Sequence, residues 1–131
     1  MFWAAPICHP LPLAAVLGLA LNDHLLKGAD LLPMAVTGKL SDVLGLFFFP
    51  ALLLALWRLV YCPPRPSLAG PILVIVLTAV GFMAANLHVG FNAWLGSWFG
   101  SKLMDSTDLV ALPALIPAWL WIRRCDEKTL L

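Results

Sequence analysis

Charge is what this sequence has least of. Only 11% of its 131 residues are charged, against 62% that are hydrophobic. Soluble domains carry about 25% charged and roughly 45–50% apolar residues. So few charges cannot cover the surface of a soluble domain of this size. Disorder is excluded as well, because it needs low hydrophobicity and high net charge. The formal net charge is +1, which gives no basic field for nucleic acid, and no nucleic-acid partner is expected. Catalytic signatures are also missing. There is no G-x-S-x-G, no H-E-x-x-H, no Walker loop and no Rossmann glycine pattern. Gly38-Lys39-Leu40-Ser41 lacks the upstream glycine of a P-loop. No Lys or Arg precedes Lys27. The first apolar stretch therefore lacks the basic start of a signal peptide and is expected to be retained.

Long apolar runs are what the sequence has instead, with a mean hydropathy of +0.94. A bilayer core about 30 Å thick needs about 20 mostly apolar helical residues. Stretches at about 10–26, 42–61, 71–89 and 108–122 come close to that length. The expected fold is all-α: a single-domain polytopic membrane protein, a bundle of four transmembrane helices with a short interfacial helix before the last. Pro71 suits the first position of the third span. Pro113 and Pro117 predict a kink in the fourth.

Basic residues near helix ends set orientation. With four spans, one side holds Arg58, Arg65, Arg123, Arg124 and Lys128, and the other Lys27, Lys39 and Lys102. That asymmetry places both termini in the cytoplasm. Arg58 is expected to snorkel to the inner edge. The aromatics divide in the same way into two belts, Trp3, Trp57, Tyr61, Trp119 and Trp121 inside and Trp94 and Trp98 outside. Cys8, Cys62 and Cys125 all fall on the inner side as reduced thiols. With His9 they match no zinc spacing.

Within residues 90–104, Phe91, Trp94, Leu95, Trp98 and Phe99 recur at helical spacing. This predicts a short amphipathic helix in the outer interface with its aromatic stripe toward lipid.

The outer helix ends collect nearly all the unusual polar residues. The candidate ligand-binding residues are Asn22, Asp23, Lys27, Lys39, Ser41, Asp42, His88, Asp105 and Asp108. At roughly 100° per residue, Ala14, Ala15, Gly18 and Asn22 share one arc, which turns Asn22 inward. Asp23 and Lys27 are spaced to pair, and His24 lies on the far side from Asn22. Thr78, Gly81 and Ala85 form an arc that His88 continues, so His88 is expected inward, with Asn86 about 160° away. Asp42 shares a face of the second helix with Gly45, one turn after Lys39. Each residue also has a plain structural role. Asp105 or Ser106 can cap the last helix, with Asp108 in its first turn. Asp42 can be a first-turn acid, and Asp23 with Lys27 an ordinary ion pair.

The blocks LNDHLLKG at 21–28, TGKLSDVLGLFFFP at 37–50 and DSTDLVALP at 105–113 resemble a group of small four-helix bacterial membrane proteins. The resemblance covers about a quarter of the chain. It implies topology and a bacterial inner-membrane location, and no activity. The layout is also similar to VanZ-like proteins, whose last helix opens on an acid, as at Asp108. Leu112 and Leu115 stand where those proteins carry an asparagine and a glycine.

Three functions are open at this point. The first is binding of an envelope ligand, lipid head group or partner protein by the outer polar face. The second is a metal-assisted hydrolase or transferase acting on a lipid-linked substrate. There Asp42, His88, Asp105 and Asp108 would be the ligands to a divalent metal, helped by Asp23, with His24 secondary. The third is a subunit of an oligomeric channel or transporter. No cofactor is expected under the first, and no catalytic residue is assigned.

Overall fold

The computed structural model describes residues 9–26, 29, 32–61, 67–100 and 104–129, and among them there is no strand. Helix α1 spans Pro10–Leu21. His9 starts it: its Nδ1 accepts from the Leu11 backbone N–H at 3.3 Å, and Pro10 occupies the first position, where no N–H is needed. The helix does not stop at Leu21. It widens into a π-helical turn over Asn22–Leu26, a geometry that proteins use sparingly and often at functional sites.

Helix α2 runs over Met34–Tyr61, 28 residues, and so begins eight residues before the expected start at Asp42. The Pro33 carbonyl accepts from the N–H groups of Val36 and Thr37, and Thr37 Oγ1 donates to the Met34 carbonyl at 3.1 Å. The polar residues here do not break the helix: the Thr37 hydroxyl bonds within α2, and the side chains of Lys39 and Ser41 reach neighbouring segments. Along α2 the row Leu46, Pro50, Leu54 and Arg58 is buried at four-residue spacing. Pro50 lacks the N–H that the Leu46 carbonyl would receive.

Helix α3 spans Ala69–Leu87. One non-helical residue, His88 at φ −113° and ψ 111°, separates it from α4, Val89–Phe99. Gly100 ends α4 at φ +89°, a region that glycine enters without strain. The predicted short helix is therefore present. Where Pro113 and Pro117 pointed to a kink, the final segment changes its winding. It is a 3₁₀-helix over Ser106–Ala114 that becomes α5, Leu115–Thr129. Pro113 and Pro117 each remove a backbone donor there, and the change of winding falls between them.

Helix α2 is central. It packs against α1, α3, the 3₁₀-helix and α5. One apolar cluster joins Leu46 with Ala111 and Leu115, flanked by Ile75 and Phe82. A second joins Leu54, Val74 and Ile122 beside Trp57. Small residues let the helices approach: Ala15, Ala51, Ala111 and Ala118 are all buried. At the contact of α3 with α2, a Cβ on Gly70 would stand 3.3 Å from Leu54 Cδ1.

Among the described residues many large apolar side chains lie on the outside, and several polar ones lie inside. Met34 is 84% exposed, Val60 74% and Trp98 72%. Asn22, Thr37, Arg58, Thr78, Asn86 and Asp108 are buried. Arg58 is only 3% exposed, which corrects the expectation that it snorkels: its row on α2 faces the other helices. Two helices, α2 and α3, are long and apolar enough to cross a membrane.

Candidate functional site

Four polar residues in the first turns of α2, Thr37, Lys39, Ser41 and Asp42, fan out in three directions. Thr37 and Ser41, four apart, face the π-helical turn. Asn22 is completely buried and donates through Nδ2 to the Thr37 carbonyl at 2.8 Å and to Ser41 Oγ at 2.7 Å. Ser41 in turn donates to Asp23 Oδ1 at 2.7 Å. The result is a directed chain, amide to hydroxyl to carboxylate, in which each bond polarises the next. It makes Asn22, Asp23 and Ser41 one unit. The π-helical turn presents Asn22 and the adjacent Asp23 to the same Ser41 hydroxyl. Asn22 Oδ1 has no hydrogen-bond partner among the described residues.

Lys39 points to the other side. Its Nζ donates to Thr107 Oγ1 at 2.9 Å and lies 3.5 Å from Asp108 Oδ1. Asp105 caps the 3₁₀-helix, accepting from the Thr107 N–H at 2.8 Å. The capping role considered for Asp105 is therefore the one it fills. Lys39 and Asp108 tie the start of α2 to the start of the final segment across 69 positions of sequence.

Asp42 takes the third direction. With Ser41 and Gly45 it lines a groove of about 560 Å³ between α1, α2, α3 and α4. The remaining lining is apolar except for Thr78, whose hydroxyl donates to the Val74 carbonyl at 2.7 Å within its own helix. Helix α4 turns Phe91 and Leu95 toward this groove, while Trp94 and Trp98 are exposed. The aromatic stripe is thus divided between a cavity and the outside, where a single outward direction was expected.

His88 does not point inward. Its ring is exposed and caps α4, with Nδ1 accepting from the Phe91 N–H at 3.1 Å. The reason is that α3 ends at Leu87, so the helical arc does not extend to residue 88. Asn86 is inside instead, 2% exposed, with Nδ2 donating to the Phe82 carbonyl at 3.0 Å. The signal for it was the four-residue repeat Val74, Thr78, Phe82, Asn86. Asn92 Nδ2 donates to the Ala85 carbonyl at 2.7 Å and fastens α4 onto α3. His24 is exposed in the π-helical turn. Lys27, and with it the expected pair to Asp23, lies outside the described residues.

No group of three His, Cys, Asp or Glu side chains able to hold a metal occurs among the described residues. Of the proposed metal set, His88 and Asp105 are helix caps, Asp108 is with Lys39, and Asp42 lines the groove. At the opposite end the groups are aromatic. His9 packs on Trp121 with centroids 4.0 Å apart, Trp57 stacks on Tyr61 at 4.1 Å, and Arg123 lies 6.0 Å above the Trp119 ring. Cys125 is a buried thiol near that end, whereas Cys8 and Cys62 lie outside the described residues.

No family model matches this chain, and no curated protein or solved structure matches it either.

Proposed function

We propose that this chain is a polytopic protein of a bacterial cytoplasmic membrane that binds a lipid through the polar end of a four-helix bundle. The spans are α1 with its π-helical turn, α2, α3 and the final 3₁₀–α segment, with α4 lying in the outer interface and both termini cytoplasmic. The exposed apolar surface and the buried polar residues support this membrane placement. Two of the four segments are long and apolar enough to span unaided.

The observation that carries the binding reading is the groove of about 560 Å³ that opens beside Ser41 and Asp42. Its volume lies within the roughly 300–1,000 Å³ of small-molecule sites, which are mostly apolar with a few placed polar groups. The hydrogen-bonded chain from Asn22 to Asp23 and the Lys39–Asp108 contact hold that polar end in one geometry. Pre-ordering of this kind reduces the entropy lost on binding.

The test is native mass spectrometry of protein released from mild detergent, with metal analysis of the same sample. One lipid mass per chain, diminished in Ser41→Ala, supports the reading. A chain that retains no lipid, or one that carries stoichiometric metal and no lipid, overturns it.

A further inference from the structure

The groove owes its existence to two missing side chains. Gly45 on α2 and Gly81 on α3 both line it, and a Cβ built on either meets no heavy atom within 4 Å. Other glycines in the same packing are filled around. A Cβ on Gly18 would meet Leu44 at 3.3 Å, and one on Gly70 would meet Leu54 at 3.3 Å. Polarity along the groove is graded. On α2 the lining runs from Ser41 and Asp42 through Gly45 to Phe48 and Phe49. On α3 it runs in the opposite chain direction, from Ala85 through Gly81 to Leu77 and Thr78, the Thr78 hydroxyl being turned to the carbonyl of Val74 in its own helix. That is about 11 Å of helix from the polar end to the apolar end.

Among the described lining residues, charge at the polar end is of one sign. Asp42 is the one charged residue among the described lining residues, and Lys39, one turn earlier, is committed to Thr107 and Asp108. A phosphate or carboxylate placed there would face a carboxylate. A protonated amine would meet one, and a carboxylate offers about four lone-pair sites, enough for a ligand N–H beside its contacts within the chain.

We infer that the groove seats one acyl chain of a membrane phospholipid whose head group carries a primary ammonium, with that ammonium at Asp42 and Ser41. The inference rests on the lipid-binding reading above and names the lipid class. The Ser41 hydroxyl already donates to Asp23, so toward the ammonium it presents a lone pair.

The experiment offers purified protein an equimolar mixture of phosphatidylethanolamine, phosphatidylglycerol and diacylglycerol with identical acyl chains, and reads retained lipid by native mass spectrometry. Phosphatidylethanolamine is expected at least about tenfold above the other two, the size of a charge-assisted hydrogen bond. Asp42→Asn removes that preference. Gly81→Leu and Gly45→Leu plug the groove and lower retention of all three lipids together, with helix content by circular dichroism unchanged. Either glycine variant that keeps its helix content is sufficient. Equal retention of the three lipids by the unmodified chain overturns the inference, as does a preference that survives Asp42→Asn. Preferential retention of phosphatidylglycerol overturns the amine class and leaves lipid binding standing. Retention of none overturns both.

Discussion

Asn22 offers the sharpest test of how this structure is held. It is fully buried and makes two short bonds to α2, 2.8 Å to the Thr37 carbonyl and 2.7 Å to Ser41 Oγ, with a long third contact of 3.4 Å to Asp23. Interhelical side-chain hydrogen bonds in membrane proteins are worth about 0.6 kcal/mol on average and about 1.7 at most. Two such bonds give about 1–2 kcal/mol, and Asn22→Ala also leaves a small void and an undersupplied Ser41. A total loss of about 2–3 kcal/mol is expected. The diagnostic quantity is the coupling to Ser41→Ala in a double-mutant cycle, read by reversible unfolding in mixed micelles. It should be about 1 kcal/mol, because each single change cuts the same bond. Asn22 and Lys39 share no partner, so Asn22→Ala and Lys39→Met should add to within about 0.5 kcal/mol. An Asn22–Ser41 coupling within about 0.3 kcal/mol of zero would refute the directed chain.

Other expectations follow from single contacts. Leu54 is 0% exposed between α3 and α5, so Leu54→Ala should cost about 3 kcal/mol in the same unfolding assay. Lys39→Met should cost about 1 kcal/mol, and Lys39→Met with Asp108→Leu should cost less than the sum, since both changes remove the same contact. His88→Ala should lose about 1 kcal/mol through the uncapped α4, and His88→Asn should restore most of it, measured as thermal midpoint. Gly81→Ala, which meets open space, should raise stability by about 0.5–1 kcal/mol, while Gly70→Ala, which meets Leu54 and Trp57, should not.

Much of the fold was legible because hydropathy speaks directly about helices. The helices α1, α3, α4 and the last segment sit close to their expected positions. The start of α2 did not, since Lys39 and Ser41 are polar for a reason that lies in other segments, and no local pattern carries that information. The inward direction of Asn22 was readable from its small-residue arc. That of Asn86 was hidden by where α3 stops: one extended residue at 88 takes His88 off the helical wheel of α3. The partnerships Asn22–Ser41 and Lys39–Asp108 join positions 19 and 69 apart. Their residue types were visible in the sequence, but their pairing depends on which helix lies against which. The groove had a sequence trace only in Gly45 and Gly81, and an empty volume has no residue of its own.

The change of winding in the final segment bears on thickness. Fifteen residues from Asp108 to Ile122 make about 22 Å if wound as an α-helix throughout. The 3₁₀ portion ends at Ala114 and rises about 2.0 Å per residue, so the same stretch reaches about 26 Å. If it crosses a bilayer, the overwound half supplies about 4 Å that its composition does not. Mismatch costs a fraction of a kcal/mol for each ångström. The tighter winding around Pro113 therefore also lengthens the segment, and relaxing it to a uniform α-helix would shorten it by about 4 Å.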